Sequence, residues 1–385
     1  MQMTRRTTLA AMAFALMAST SAFAQDTIKI GVNQPLTGAF AASGTYVTNG
    51  AKIAADEINA KGGVLGKKIE LVIEDNKSNP TEAAAVAEKL ITSDKVPVLM
   101  GSWGSSLTLA TMPKLEEYSV PMLVETSSSG KITKSGNPYV FRIAPPSSVE
   151  AEAFLPIAEK LGLKKVDFLV INNDWGRGAA GDFSKMLKEK GVEVGLVETM
   201  DQTSQDMSAQ IAKLKASDAD TIMITAAVDQ LTLLFKQMAA LGLKKRIITT
   251  GGSQNPDQII AQAGPTANGT MHLTLFLPWW PDKTPNPEAT AYFLEEWKKR
   301  GYDYAGTTES FRGYDGIRTI AAAIEAGGSA DPAAIQKGFW NVDIVGLNGP
   351  IKFHKDGPEG AESGQTQPEV YLIAIEDGKI TQPKL

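Results

Sequence analysis

Two loops rich in serine and glycine contain the residues best suited to hold a small anion. Residues 101–106 (Gly-Ser-Trp-Gly-Ser-Ser) lie between a predicted strand and a predicted helix, and residues 126–130 (Thr-Ser-Ser-Ser-Gly) follow the next predicted strand. Serine hydroxyls and the free N–H groups of a helix's first turn both donate hydrogen bonds to a carboxylate. The loops therefore predict an anion site, the alternatives being that Ser105 is only a helix N-cap and that residues 126–130 only form a turn.

Aromatic side chains could supply the walls of such a site. Trp103 lies within the first loop, Trp175 follows a predicted strand, Phe276 ends another, and Tyr314 lies near the start of a predicted helix. Aromatic faces of this kind would sandwich a flat apolar body. We predict that Trp103, Trp175 and Tyr314 face a cleft, and ordinary core packing is the alternative for each.

Residues 176–181 (Gly-Arg-Gly-Ala-Ala-Gly) match the GxGxxG pattern of a dinucleotide-binding turn, and Glu198 ends the next predicted strand. A secreted NAD(P)-dependent oxidoreductase is therefore the enzyme alternative. Trp175 and Arg177 lie where such a turn should be tight, and the motif lies deep in the chain. We therefore expect no enzyme activity and no cofactor.

The remaining chemistry-bearing residues predict no catalytic or metal site. Arg312 and Asp315 are spaced as neighbours on a helix and are predicted to form a surface pair, with Glu309 close by. The two histidines, His272 and His354, are too far apart for a local zinc motif and are predicted to be structural or solvated.

Composition excludes further classes of function. The 385-residue chain has no cysteine, which removes disulfides, thiolate catalysis and sulfur-ligated metals. It carries 38 Lys and Arg against 43 Asp and Glu, a net charge of −5, which does not suggest a nucleic-acid partner.

The first 24 residues are predicted to be an export signal. Arg5 and Arg6 precede an apolar run over residues 9–18, and Ala-Phe-Ala at 22–24 has the pattern of a cleavage site before Gln25. The apolar run is shorter than the roughly 20 residues that a membrane span needs. The mature protein is therefore predicted to be periplasmic, by the general secretory route or the twin-arginine route.

The elements that must position these loops alternate between strands and helices. Predicted strands occupy residues 28–32, 69–74, 96–100, 121–125, 166–171, 192–197, 221–225, 246–250 and 272–276. Predicted helices occupy residues 46–60, 81–92, 105–118, 149–161, 178–190, 204–216 and 230–241. Apolar strands that alternate with helices are typical of an α/β fold with parallel sheets covered on both faces.

Two proline-containing breaks divide this pattern, at residues 144–146 (Ala-Pro-Pro) and 278–281 (Pro-Trp-Trp-Pro). After the second break, helices are predicted at 287–300, 308–326 and 332–340, and strands at 351–354 and 371–376. We predict two doubly wound lobes joined by a three-segment hinge. Lobe 1 would comprise residues 25–144 plus about 278–350, and lobe 2 residues 145–277 plus about 351–385.

Several segments together resemble one family. Asn-Gln-Pro-Leu-Thr-Gly at 33–38, Ile-Asn-Ala-Lys-Gly-Gly at 58–63, the loop at 101–106 and Phe-Arg-Ile at 141–143 are similar to the leucine/isoleucine/valine-binding family. The resemblance covers essentially the whole mature chain. It implies the type I periplasmic-binding fold, a monomer whose lobes close on a ligand and deliver it to the permease of an ABC importer.

The resemblance also implies roles for individual residues. Ser105, Ser127 and Ser129 would hold the carboxylate of the ligand. The first-loop position of the family falls near Ser43, and an aromatic position of the second lobe falls on Trp175.

Two positions depart from the family pattern. A second-lobe position that is often aromatic falls on Ala227. Family members that bind amino acids use an acid after the strand at 246–250 to pair with the ammonium group, but this chain continues from Gly251 as Gly-Gly-Ser-Gln-Asn, without an acid until Asp257.

The altered amine position leaves the ligand class open. Removing the partner of a buried charge can cost about 3–5 kcal/mol, so an intact carboxylate site beside an altered amine site favours an aromatic or keto acid as readily as an amino acid. Asp174 or Asp229 could still supply the missing acid. A ligand-sensing module for a membrane receptor is the remaining alternative to an importer subunit.

Overall fold

The computed structural model describes residues 27–383 except Ser253, so the predicted export signal lies outside the described residues. The strands, numbered in chain order, are β1 (Thr27–Gln34), β2 (Lys68–Asp75), β3 (Leu99–Gly101), β4 (Met122–Val124), β5 (Val140–Arg142), β6 (Lys165–Ile171), β7 (Glu193–Met200), β8 (Thr221–Thr225), β9 (Arg246–Thr249), β10 (Met271–Thr274), β11 (Asp343–Gly346), β12 (Gly349–Lys352), β13 (His354–Asp356), β14 (Ser363–Gln365), β15 (Tyr371–Glu376) and β16 (Lys379–Thr381). The helices are α1 (Ala41–Ala60), α2 (Pro80–Thr92), α3 (Ser105–Tyr118), α4 (Lys131–Lys134), α5 (Ser147–Lys160), α6 (Asp174–Glu189), α7 (Ser208–Ala216), α8 (Val228–Ala240), α9 (Pro256–Ala263), α10 (Pro287–Lys299), α11 (Thr307–Gly327) and α12 (Pro332–Phe339).

Lobe 1 contains a seven-stranded sheet in the order β13-β14-β5-β4-β3-β1-β2, parallel except for β13. Helices α1 and α11 pack closely against each other because two glycines leave no side chain between them. A Cβ atom at Gly50 would lie 1.8 Å from the carbonyl oxygen of Ser310, and one at Gly313 would lie 1.9 Å from that of Val47. This close contact joins two helices of lobe 1 that are far apart in the sequence.

Lobe 2 contains the second seven-stranded sheet, in the order β16-β15-β10-β9-β8-β6-β7. The strands from β6 to β10 pair in parallel, and the hairpin of β15 and β16 adds antiparallel to β10. All residues of β8 are buried, as expected for a parallel strand covered on both faces. The predicted α/β fold with two mostly parallel sheets is confirmed.

The predicted boundary of the last segment needs a correction, because residues 351–365 do not join lobe 2. Strand β12 pairs with β11 in a separate hairpin, and β14 pairs in parallel with β5 of lobe 1. Gly364 allows this pairing, since a Cβ atom there would lie 2.3 Å from the Phe141 ring. The third crossing therefore lies between Gln365 and Tyr371, where Pro368 interrupts the chain.

The two histidines have structural or solvated positions, as predicted. His272 is buried on β10, and hydrogen bonds of 2.7 and 2.8 Å link its ring nitrogens to Thr249 and Thr270. Burial lowers the pKa of His272 to about 3, so the ring is neutral at physiological pH. His354 is exposed. No helix in the described part of the chain is long and apolar enough to cross a membrane.

Candidate ligand-binding site

A cavity of about 200 Å³ lies between the lobes, at the carboxyl ends of their parallel strands. This is the edge at which open α/β sheets bind ligands. The cavity is lined by Trp103, Gly104, Ser105, Thr126, Ser127, Ser128, Trp175 and Gly251. Every one of these side chains is uncharged, and four of them carry a hydroxyl group.

The lobe 1 wall consists of the two serine-rich loops identified in the sequence. Ser105 is the first residue of α3, and its hydroxyl oxygen accepts a hydrogen bond of 3.1 Å from the backbone N–H of Ser129, which ties the loops together. No acceptor among the described residues takes the backbone N–H groups of Ser105 and Ser106. These N–H groups in the first turn of α3 are free to bind an anion.

The Ser127 hydroxyl is held by the protein itself. It donates to the carbonyl oxygen of Ser102 at 2.7 Å and lies 2.8 Å from the hydroxyl of Thr108. Ser127 thereby fixes the shape of the wall, in addition to lining it. Ser129 faces an adjoining open groove of about 690 Å³, which Lys131 and Arg177 also line.

Arg142, at the end of β5, holds the serine-rich loop at residues 126–130 in place. One of its Nη atoms donates to the carbonyl oxygens of Ser127 and Ser129 at 3.2 and 2.7 Å, and the other donates to Thr133 Oγ1 at 2.9 Å. Burial lowers the pKa of Arg142 to about 9. In the sequence, Arg142 contributes only to the family resemblance, although a charged residue that ends a buried strand signals such a role.

Two indole rings form the aromatic walls. The centroids of Trp103 and Trp175 lie 5.3 Å apart with the rings at 78°, an edge-to-face contact across the two lobes. A Cβ atom at Gly251 would lie 2.6 Å from Cζ2 of Trp175, and the backbone there has φ = +92°. Only glycine at this position leaves room for the indole. The presence of Trp175 therefore explains why glycine, and not the acid of the family pattern, occupies position 251.

Three other residues singled out in the sequence do not line this cavity. Ser43 is buried in α1 and donates to Glu309 at 3.3 Å, and Ala227 is buried at the start of α8. The prediction that Tyr314 faces the cleft is wrong. Its ring packs 5.2 Å from that of Phe293 and its hydroxyl donates to Glu57, because this face of α11 packs against α1 in the core of lobe 1.

The three acids that could have paired with a ligand's ammonium group already bind other protein groups. Asp174 accepts from the Ser106 hydroxyl at 2.9 Å and pairs with Lys131 at 3.0 Å, a contact between the lobes at the mouth of the cleft. Asp229 accepts from Gln258 at 3.1 Å. Asp257 accepts from the indole of Trp279 at 2.9 Å. None of the three lines the cavity.

Glu150 is an acid in direct contact with the altered position, and no sequence pattern singled it out. It lies in the first turn of α5, where its Oε1 accepts the backbone N–H of Gly251 at 2.7 Å. Burial raises the pKa of Glu150 to about 7, against the smaller opposing effects of that hydrogen bond and of Arg312. Its carboxyl group supports the glycine loop from behind the cavity wall.

The prediction that Arg312 and Asp315 form a surface pair on α11 is wrong: each has a different partner, and both residues are buried. Arg312 pairs with Glu309 at 3.5 Å, and Asp315 pairs instead with Arg318 at 3.5 Å. Glu309, Arg312 and Asp315 are all buried, because this face of the helix lies against the hinge and the lobe interface rather than solvent.

The glycines of the GxGxxG segment lie inside helix α6 instead of in a turn before it. Asn173 caps the helix by accepting from the N–H of Gly176 at 3.0 Å. A Cβ atom at Gly176 would lie 2.1 Å from the carbonyl oxygen of Ile171, so close packing of helix against strand accounts for this glycine. Within residues 27–383 as described, no group of three His, Cys, Asp or Glu is arranged to hold a metal ion.

The lobes touch each other around the cavity. Besides the contacts of Asp174, the Tyr46 hydroxyl lies 3.3 Å from Gln258 Oε1, and Thr308 donates to Asn255 at 2.8 Å. The two lobes are therefore in a closed arrangement around the cavity.

Comparison with known proteins assigns this chain to a family. A family model described as a periplasmic binding protein matches residues 27–379. A leucine-, isoleucine-, valine-, threonine-, and alanine-binding protein from Pseudomonas aeruginosa is 31% identical over 349 residues, which cover 90% of this chain and 91% of that protein.

Two solved structures show the range of ligands among similar proteins. The branched-chain amino acid transporter substrate binding protein LivJ from Streptococcus pneumoniae, in complex with isoleucine, has a TM-score of 0.80 at 27% identity, over 92% of this chain and 98% of that chain. A solute binding protein of an ABC transporter from R. palustris, in complex with 4-hydroxybenzoate, has a TM-score of 0.79 at 26% identity, over 94% and 96%. With the model match over nearly all described residues, this chain belongs to the periplasmic binding protein family.

Proposed function

We propose that this protein is the substrate-binding subunit of an ABC importer and captures a small, flat carboxylic acid without an amino group, such as an aromatic or keto acid. The ligand's carboxylate binds the first turn of α3 and the serine-rich loops. The indoles of Trp103 and Trp175 enclose the rest of the ligand.

The observation that carries this proposal is the uncharged lining of the cavity. An ammonium group enclosed there would lose its hydration without gaining a carboxylate partner, at a cost of several kcal/mol. The free N–H groups of Ser105 and Ser106 still favour a carboxylate at the other end of the ligand.

Binding is coupled to a hinge movement and includes no chemical step. The ligand docks on lobe 1, lobe 2 closes over it, and the permease recognises the closed form in the periplasm. A ligand shifts this equilibrium only through its higher affinity for the closed form; reversing a 1:99 ratio takes about 5.5 kcal/mol of differential affinity.

A branched-chain amino acid is the second candidate ligand. The amino-acid binders among the relatives support it, and the isoleucine complex has about the same identity to this chain as the 4-hydroxybenzoate complex. Glu150, which lies behind Gly251, would then be the acid that pairs with the ligand's ammonium group.

Thermal unfolding of the mature, ligand-stripped protein tests the ligand class. We expect benzoate, 4-hydroxybenzoate or a branched keto acid to raise the melting temperature, and leucine and isoleucine to leave it unchanged. A ligand at about 1,000 times its Kd stabilises the folded state by about 4.1 kcal/mol, which gives a clear shift. A response to amino acids alone would refute the proposal.

Uptake of the acid identified in this way tests delivery to a permease. Cells that lack this protein should lose high-affinity uptake of the labelled acid and regain it when the protein is restored. Unchanged uptake, with loss of a transcriptional or motile response to the acid, would instead indicate a sensing module.

A further inference from the structure

A buried acid on α11 is linked to the ligand cavity through one of its indoles. Glu309 is fully buried, and its Oε2 accepts the Nε1–H of Trp103 at 3.1 Å while its Oε1 accepts the Ser43 hydroxyl at 3.3 Å. Glu309 also lies in the first turn of α11, where the helix dipole favours a carboxylate. The side chain therefore fixes the orientation of one aromatic wall of the cavity.

One turn further along the same helix, Arg312 reaches across to the other lobe. It is 2% exposed and lies 3.5 Å from Glu309, while its second Nη atom donates to the carbonyl oxygen of Gly252 at 2.6 Å. Gly252 directly follows Gly251, which lines the cavity from lobe 2. A continuous buried chain of contacts thus runs from Trp103 through Glu309 and Arg312 to the glycine loop.

We propose that the Glu309–Arg312 pair is the latch of the closed state. Glu309 orients Trp103 for the ligand and holds Arg312 in place, and Arg312 captures the Gly252 carbonyl when lobe 2 closes. Both are positioning residues, since neither lines the cavity. This inference rests on the proposed function only in the choice of the small molecules that are used to close the cleft.

The contact suits a latch because of its strength and its position. A charged guanidinium donating to a carbonyl is among the stronger hydrogen bonds, and enclosure away from water strengthens it further. The glycine loop belongs to lobe 2 and α11 belongs to lobe 1, so opening the cleft must break this bond. The Glu309 contact stays within lobe 1 and survives opening.

Single-molecule energy transfer between the lobes measures the latch directly. The chain has no cysteine, so cysteines introduced at exposed Lys95 in lobe 1 and Lys188 in lobe 2 take dyes cleanly. We compare the closed-to-open ratio of the wild type and Arg312→Lys, with and without benzoate, 4-hydroxybenzoate and isoleucine. Lysine keeps a charge beside Glu309 but cannot bridge to Gly252, so the ratio should fall about tenfold.

Two further variants separate a latch from a general contribution to stability. Arg318→Lys, in the matched pair with Asp315 on the same helix, should leave the ratio unchanged. Glu309→Gln keeps an acceptor for Trp103 but removes the charge beside Arg312. The double variant Glu309→Gln with Arg312→Lys should have the same closed-to-open ratio as Arg312→Lys alone.

The outcomes distinguish this inference from the proposed function. An unchanged ratio in Arg312→Lys, or an equal fall in Arg318→Lys, would overturn the latch even if the melting temperature fell. Closure of the wild type by isoleucine but by neither aromatic acid would contradict the proposed ligand class alone, since closure by isoleucine and the ligand-free ratio still test the latch.

Discussion

At the scale of single residues, the contact between Gly251 and Trp175 decides what the cavity can hold. Replacing Gly251 with alanine adds a methyl group at 2.6 Å from the indole at a positive φ, so we expect ligand affinity to fall at least tenfold. Calorimetric titration with the acid identified by thermal shift measures this loss.

Gly191→Ala is the matched control for Gly251→Ala. Gly191 also has a positive φ, +80°, but a Cβ atom there would meet open space. We expect this variant to lose about 1–2 kcal/mol of stability through backbone strain and to bind the ligand normally. Equal affinity losses in the two variants would show that backbone strain alone, and not the indole, is responsible.

Glu150 should make stability depend on pH. Its pKa is raised to about 7 in the folded protein, so between about pH 4.5 and 7 the folded state holds a proton that the unfolded state has released. The free energy of unfolding therefore falls as pH rises through this window. Buried Glu125 and Asp315, with pKa values raised to about 6, act in the same direction.

Urea unfolding at pH 5, 6 and 7 measures the contribution of Glu150. The variant Glu150→Gln keeps an acceptor for the Gly251 N–H but cannot titrate. Its free energy of unfolding should therefore fall by about 2 kcal/mol less than that of the wild type between pH 5 and pH 7. Glu152→Gln, at an exposed position of the same helix, should retain the wild-type slope. A wild-type slope in Glu150→Gln would contradict this account.

The sequence identified the residues that lie near strand ends and missed those that act from behind them. Ser105, Ser127, Trp103, Trp175 and Gly251 were all found, because the carboxyl ends of parallel strands meet at one edge of a sheet. Glu150 was not predicted, and Arg312 was predicted to pair with Asp315 at the surface, because spacing along a helix does not reveal which neighbour covers each face.

At the scale of elements, β5 positions the second serine loop through Arg142. Arg142→Lys retains a charge but cannot reach the carbonyl oxygens of Ser127 and Ser129 and the hydroxyl of Thr133 together. We expect about a tenfold loss of ligand affinity and a lower melting temperature, measured by calorimetric titration and thermal unfolding.

Arg300→Lys provides the control for this substitution. Arg300 pairs with Asp56 on the surface of lobe 1, far from the cavity, so its replacement should change neither quantity measurably. Normal ligand affinity in Arg142→Lys would show that the loop keeps its shape without the guanidinium.

Most strands and helices followed from apolar periodicity, but several short elements did not. Helix α9 was missed because it is only eight residues long and begins at Pro256 after the irregular loop 251–255. Strands β13 and β14 are three residues each, too short for an alternating pattern, and only tertiary pairing with β5 assigns them to lobe 1.

At the scale of the whole molecule, the two lobes differ in how the chain builds them. Lobe 2 takes strands β6 to β10 from one continuous segment and adds only the hairpin of β15 and β16. Lobe 1 draws its sheet from two separate segments, residues 27–142 and 354–365. Its core joins residues as far apart as Ser43 and Glu309, 266 positions along the sequence.

This unequal division predicts an order of folding. Contacts between distant segments require a large loss of chain entropy before they stabilise anything, so local contacts form first. Pulse-labelled hydrogen exchange during refolding should find amides of β6, β8 and β9 protected before those of α1 and α11. Simultaneous protection of both lobes would contradict this order. We therefore expect a refolding molecule to assemble the half proposed to close over the ligand before the half on which the ligand is proposed to dock first.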